Sequence, residues 1–163
     1  MVSLSGPVFA DSWHMTAQPT TYLEHDRVRE HTAPIVNQRI DRLSKASADA
    51  AIQAGHDAIQ RRLAELDHEW DVDRALMVNF AGAGATTFGI GMARYANSSA
   101  FLPRRKGFLY FYGAQLGFLL LHGVVGWCPP ASVFRRLGFR TAREIEAERA
   151  LLRAALVSPT AAE

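Results

Sequence analysis

Cys128 is the one thiol in the chain, and thiolate chemistry is the sharpest reaction that any of its residues could perform. It ends an apolar stretch, Pro129-Pro130 follows, and Arg135 and Arg136 lie close in sequence. Positive neighbours lower a thiol's pKa and favour the nucleophilic thiolate. A small buried residue at a helix end would look the same in sequence. His122, six residues earlier, falls on a different helical face and is no activating partner. An ionisable group inside an apolar stretch either hydrogen-bonds a neighbouring helix or serves a function. A pigment or haem could use His122 as a ligand, but no second ligand accompanies it.

His14, His25, His31, His56, His68 and His122 show neither HxxxH nor HExxH spacing, so no metal site is expected. Gly82, Gly84 and Gly89 miss the GxGxxG pattern, and no strand precedes them. There is no Walker A lysine and no GxSxG. No catalytic residue, cofactor or enzyme activity is expected from these motifs.

The elements that would position Cys128 and His122 are two stretches without charge. The 163 residues are 48% apolar and 21% charged, room for one domain or a small domain with an anchor. Residues 1–74 hold eight Lys/Arg against twelve Asp/Glu, whereas 94–106 hold four basic residues and no acid. Neither 75–93 nor 107–134 contains a single Asp, Glu, Lys or Arg. The basic excess therefore flanks apolar stretches instead of forming a nucleic-acid-binding face. As helices, 75–93 and the apolar centre 108–127 are about 28 and 30 Å long, the thickness of a bilayer core. Glycines that would weaken a helix in water are tolerated in a membrane helix, where small residues let backbones approach.

The expected fold is all-α: an integral membrane helical hairpin (transmembrane helices at about 75–95 and 107–128) with N-terminal amphipathic helices and a C-terminal peripheral helix. Ala81, Ala85, Gly89 and Ala93 recur every four residues, and Gly113 and Gly117 form a GxxxG pair. Both are helix-packing stripes, facing either each other or another protein. Trp70 and Trp127 fall at one interface, with Tyr95, Tyr110 and Tyr112 near the other. Asn97-Ser98-Ser99 and Pro103 make the turn. Seven arginines flank the hairpin outside and four basic residues lie in its loop, which favours both termini in the cytoplasm.

Around the hairpin, 1–31 reads as an irregular arm in which Phe9 and Trp13 could dock on a partner or on the chain itself. Residues 32–73 read as soluble amphipathic helices. Thr32 is a candidate N-cap before Pro34, and Ile35, Val36, Ile40 and Leu43 mark an apolar face. A second helix at 56–72 carries Ile59, Leu63, Leu66 and Trp70. Its acidic residues Glu65, Asp67, Glu69, Asp71 and Asp73 form either a solvated face or a dock for a basic neighbour. Beyond the hairpin unit at 74–134, residues 135–163 read as an interfacial segment and a last helix. Arg135, Arg136 and Arg140 are expected at the lipid phosphates, and a capping box joins Thr141 to Glu144.

DRALMVNFAGAG, LGFLLLHGVVGWCPP and FRRLGFRTAREIEAE, in that order, resemble the two-helix inner-membrane module of the YgaP type that some bacterial rhodaneses carry. The most specific piece is GWCPPASVFRRLGFRT, with Gly126, Cys128, Pro129 and Leu137-Gly138. The resemblance covers about 73–152 and implies a multi-pass protein of the bacterial inner membrane with cytoplasmic termini. The upstream 72 residues are too short for a rhodanese and contain no cysteine loop, so sulfurtransferase activity is not expected. The expected function is a non-catalytic accessory or scaffold subunit of a larger membrane complex, such as a respiratory or photosynthetic one. The alternatives are a sulfur or redox relay through Cys128 and a lipid-binding or membrane-shaping protein. Expected partners are membrane lipids and other membrane subunits or a second copy, with no nucleic acid.

Overall fold

A computed structural model describes residues 23, 25–96 and 107–157. The arm at 1–22, with Phe9 and Trp13, and the turn with Asn97-Ser98-Ser99 and Pro103 lie outside them. The described residues form seven α-helices and no strand: α1 Arg27–Glu30, α2 Pro34–Gln53, α3 His56–His68, α4 Val72–Ala96, α5 Gly107–Val125, α6 Pro129–Leu137 and α7 Ala142–Val157. α4 and α5 are both long and apolar enough to cross a membrane. They pack antiparallel as a hairpin, and the other five helices form a head at its root.

Local chemistry sets most of the boundaries. α2 begins at Pro34, whose fixed φ suits a first turn, but Ala33 is its N-cap and Thr32 is not. The Thr32 hydroxyl instead donates to the Val28 carbonyl and closes α1. The prolines after Cys128 start α6 instead of merely stopping α5, because a missing N–H costs nothing in a first turn. The boundary expected at 134/135 consequently falls inside a helix. Gly138, in the left-handed conformation that a side chain disfavours, closes α6. The Thr141 capping box is formed on both sides: the Glu144 N–H donates to Thr141 Oγ1 (3.2 Å) and the Thr141 N–H to Glu144 Oε2 (2.9 Å).

Two apolar cores hold the head. Ala48, Ala51, Ile59, Leu66, Ile145 and Leu152 join α2, α3 and α7. The alanines of α2 are thus its packing face, since a methyl side chain lets a neighbouring helix come close. Ile35 and Leu43, expected on that face, are exposed, and only Ile40 is buried. The second core, Val28, Val72, Leu76, Cys128 and Ala131 with Phe80, Phe134 and Phe139 against it, seats the hairpin root on α1 and α6.

Both legs are tied to the head. The Val72 N–H donates to the Arg140 carbonyl (2.8 Å) inside an isolated bridge between Asp71 and Arg140. At the other leg Gly126 turns the chain with φ +76°, and a Cβ there would lie 3.1 Å from Cβ of Arg27. Trp127 then stacks on His31 with ring centres 5.3 Å apart.

Candidate functional site

The hairpin seam is built on a heptad that small-residue spacing does not reveal. Phe108, Tyr112, Gln115, Leu119 and His122 recur every four and three residues along α5, and the three polar ones among them are only partly exposed. Opposite them α4 offers Gly84, where a Cβ would meet Tyr112 at 3.6 Å, and Gly91 beside Phe108. Phe88 packs against Tyr112 with ring centres 6.5 Å apart. Tyr112 is therefore a seam residue, facing α4. At the root, His122 Nε2 and Asp73 Oδ1 are 3.1 Å apart, a cross-hairpin pair spanning 49 positions. Asp73 was read with the acidic run, and only the antiparallel pairing of the legs brings it to His122.

Gly113 and Gly117 face away from that seam, whereas Ala81 and Ala85 of the α4 stripe face the groove between the legs. Ala81, Ala85, Gly89 and Ala93 are exposed along α4. Gly113 and Gly117 are exposed on α5, with open space where a Cβ would stand. No residue of α5 is buried, and α4 buries only Val72, Ala75, Leu76 and Thr87. Ala81 and Ala85 line one side of a groove of about 390 Å³ between the legs, with Gln115 and Tyr112 on the other. The Gln115 side-chain oxygen and His122 Nδ1 are buried without a hydrogen-bond partner among the described residues.

Cys128 is fully buried at the N-cap of α6. Burial pushes its thiol up, against the lowering that Arg135 and Arg136 were expected to bring. Arg135 points elsewhere, to Glu144 and Asn37. His122 and Cys128 do not form a pair.

Arg135 and Arg140 correct the expectation of phosphate-facing arginines. The Arg135 side chain is 0% exposed and grips Glu144 through both nitrogens at 2.5 and 2.7 Å. It also donates to the Asn37 carboxamide at 2.8 Å. Arg140 holds Glu69 bidentately at 2.6 Å and also donates to Glu148. Arg29 bridges Asp41 and Glu144, and Arg62 bridges Glu65 and Glu148. Burial by itself would raise the Glu144 carboxyl, but Arg135, the Thr141 N–H and Arg29 together hold it below the ordinary range. Burial would likewise lower the Arg140 guanidinium, and Glu69 and Glu148 instead raise it.

The acidic run is thus paired within the head, although Glu65 and Asp67 also remain exposed to solvent. Glu69 meets Arg140, Asp67 meets Arg149 at 3.0 Å, Glu65 meets Arg62, and Asp71 accepts from the Arg74 N–H. Arg136 alone of the three expected interfacial arginines is exposed. Trp70 is partly exposed with the Arg74 guanidinium 4.7 Å above its ring. Among the described residues no cluster of His, Cys, Asp or Glu could hold a metal ion.

Neither a protein-family model, nor a curated protein, nor a solved structure matches this chain.

Proposed function

We propose that this chain is a non-catalytic accessory subunit that spans a membrane with α4 and α5 and joins a larger assembly through the outer faces of that hairpin. The observation that carries the reading is the orientation of the small residues Gly113 and Gly117 on α5. A hairpin that needed them for its own closure would turn them inward. Here α5 meets α4 through its heptad, and Gly113 and Gly117 face outward with open space that another helix could fill. Exposed Leu109, Tyr110, Leu120 and Val124 on α5 belong in lipid or against a neighbour, since in water they would form a large apolar patch. The arginine count favours cytoplasmic termini, and the YgaP-type resemblance favours a bacterial inner membrane. Cys128, buried in a core, serves this reading as a packing residue, which weighs against the relay alternative.

The test is the native size of the full chain extracted in a mild detergent, beside the variant carrying Gly113→Leu and Gly117→Leu. The expected result is a stoichiometric assembly for the original chain and a released chain with unchanged helicity for the variant. Migration of both as a single chain would sink the subunit reading. Recovery of the chain without detergent would sink the membrane reading.

A further inference from the structure

Five arginines of the head are committed to ion pairs. Arg29, Arg62, Arg135, Arg140 and Arg149 all meet carboxylates. Arg39 and Arg136 meet none among the described residues, although Asp41, two positions from Arg39, is held by Arg29. These two exposed guanidinium groups stand on opposite walls of one groove of about 390 Å³, Arg39 on α2 and Arg136 on α6. The remaining lining is largely apolar, and it includes the most exposed aliphatic side chains of the two helices: Ile35 at 66%, Leu43 at 61% and Leu137 at 71%.

The place of the groove matters as much as its lining. α6 starts within four residues of the end of α5, and its Ala131 and Phe134 pack on Val72, Leu76 and Phe80 of α4. Its outer side, with Leu137, therefore lies where the apolar hairpin meets the charged head. With α4 and α5 in a bilayer, that level is the headgroup layer. Unpaired positive charge beside exposed aliphatic surface at that depth is complementary to one class of molecule, an amphiphile with an anionic head. Arginine suits a phosphate in particular, because its planar fork can donate two parallel hydrogen bonds to phosphate oxygens.

We propose that the α2/α6 groove seats an anionic phospholipid of the surrounding membrane, its phosphate between Arg39 and Arg136 and an acyl chain along Ile35, Leu43 and Leu137. The proposal rests on the reading of α4 and α5 as membrane-spanning. The lipid fills a gap that the head leaves open and fixes the depth at which the head sits.

The probe is phosphatidylglycerol in competition with phosphatidylcholine, added in equal amounts to the full chain in mild detergent and read by native mass spectrometry. At roughly 1 kcal/mol per guanidinium, phosphatidylglycerol is retained about thirtyfold over phosphatidylcholine. The double variant Arg39→Gln, Arg136→Gln brings that preference to about one, with helicity unchanged. Arg61→Gln, at an exposed position of α3, leaves it as it was. Equal retention of the two lipids by the original chain overturns the proposal. So does a preference that survives in the double variant or falls equally in Arg61→Gln. A separate arm tests the supporting reading: the chain in vesicles of phosphatidylcholine alone is washed at alkaline pH. Loss from those vesicles defeats the membrane reading and the groove together. Retention there without a phosphatidylglycerol preference defeats the groove only.

Discussion

In the head, guanidinium and carboxylate groups are among the least exposed side chains, and aliphatic groups such as Ile35 and Leu137 stand open. In the hairpin, charge is absent from 75–93 and from all of α5, and apolar side chains cover the outside. A buried ion such as that of Arg135 is tolerable only where every neighbour is a matched partner, because desolvation is otherwise ruinous. An outward Leu or Phe is tolerable only where no water meets it. The two regions therefore embody opposite solutions within one chain, joined over a few residues at Val72 and Gly126. The difference teaches that the head's buried charges serve its own closure, whereas the apolar outside of the hairpin serves contact with a non-aqueous surrounding.

The strongest way to break this comparison is to take one member from a buried pair. Arg135→Met leaves Glu144 with Arg29 as its remaining arginine partner, and the head loses about 3–5 kcal/mol. Thermal unfolding followed by circular dichroism reads the loss. Adding Glu144→Gln to Arg135→Met should cost less than the sum of the two single changes, since the orphaned charge is gone. A silent Arg135→Met would mean that the pair is solvated and the contrast false.

In the hairpin the rule inverts. Leu116, midway along α5 and half-exposed, should accept Ala with a change in head stability below about 0.5 kcal/mol. Leu116→Arg, by contrast, carries an insertion penalty of about 2.5–3.5 kcal/mol and moves the chain out of the membrane fraction. Fractionation of the two variants side by side gives the answer. Equal behaviour would place α5 in water.

A gentler test uses acid. The Glu144 carboxyl titrates below its unfolded value in the folded head, so the stability it contributes is complete above that unfolded value. That stability is lost as pH falls through the lower, folded one. The head should weaken below about pH 4, while α5, which carries no carboxylate, keeps its helicity. Glu144→Gln, weaker at neutral pH, should show a shallower loss. Far-ultraviolet melts at pH 7, 5 and 3 would measure it, and a head indifferent to acid would contradict the buried network.

What could be read from the amino acids followed the range over which each signal acts. The box of Thr141 and Glu144 and the face of Ile59 and Leu66 are local, set within one or two turns, and appear in the fold as expected. So do the two long apolar helices. The pairing of Glu69 with Arg140 spans 71 positions and that of Asn37 with Arg135 spans 98, and no periodicity announces either. In the sequence Glu69 belongs to an acidic run that suggests solvent or a neighbour, Arg135 and Arg140 suggest lipid phosphate, and Asn37 carries no signal at all. Ala48 and Ala51 lie in an alanine-rich segment, 44–54, whose apolar pattern is weakly directed, although close helix packing makes alanine useful there. At the hairpin the small residues were visible, but the side they face depends on which register α4 and α5 adopt. The heptad at Phe108, Tyr112, Gln115, Leu119 and His122 carried that information.

The ion pairs of the head also impose an order in time. Glu144 and Glu148 of α7 meet Arg29 and Arg62, residues made before the hairpin, through contacts spanning 115 and 86 positions. A chain is synthesised from its N-terminus, so α1–α3 emerge without the acids that will hold them. Both apolar helices are then made before α7 exists. The head can close only after both legs of the hairpin have been made, so its closure acts as a latch set by α7.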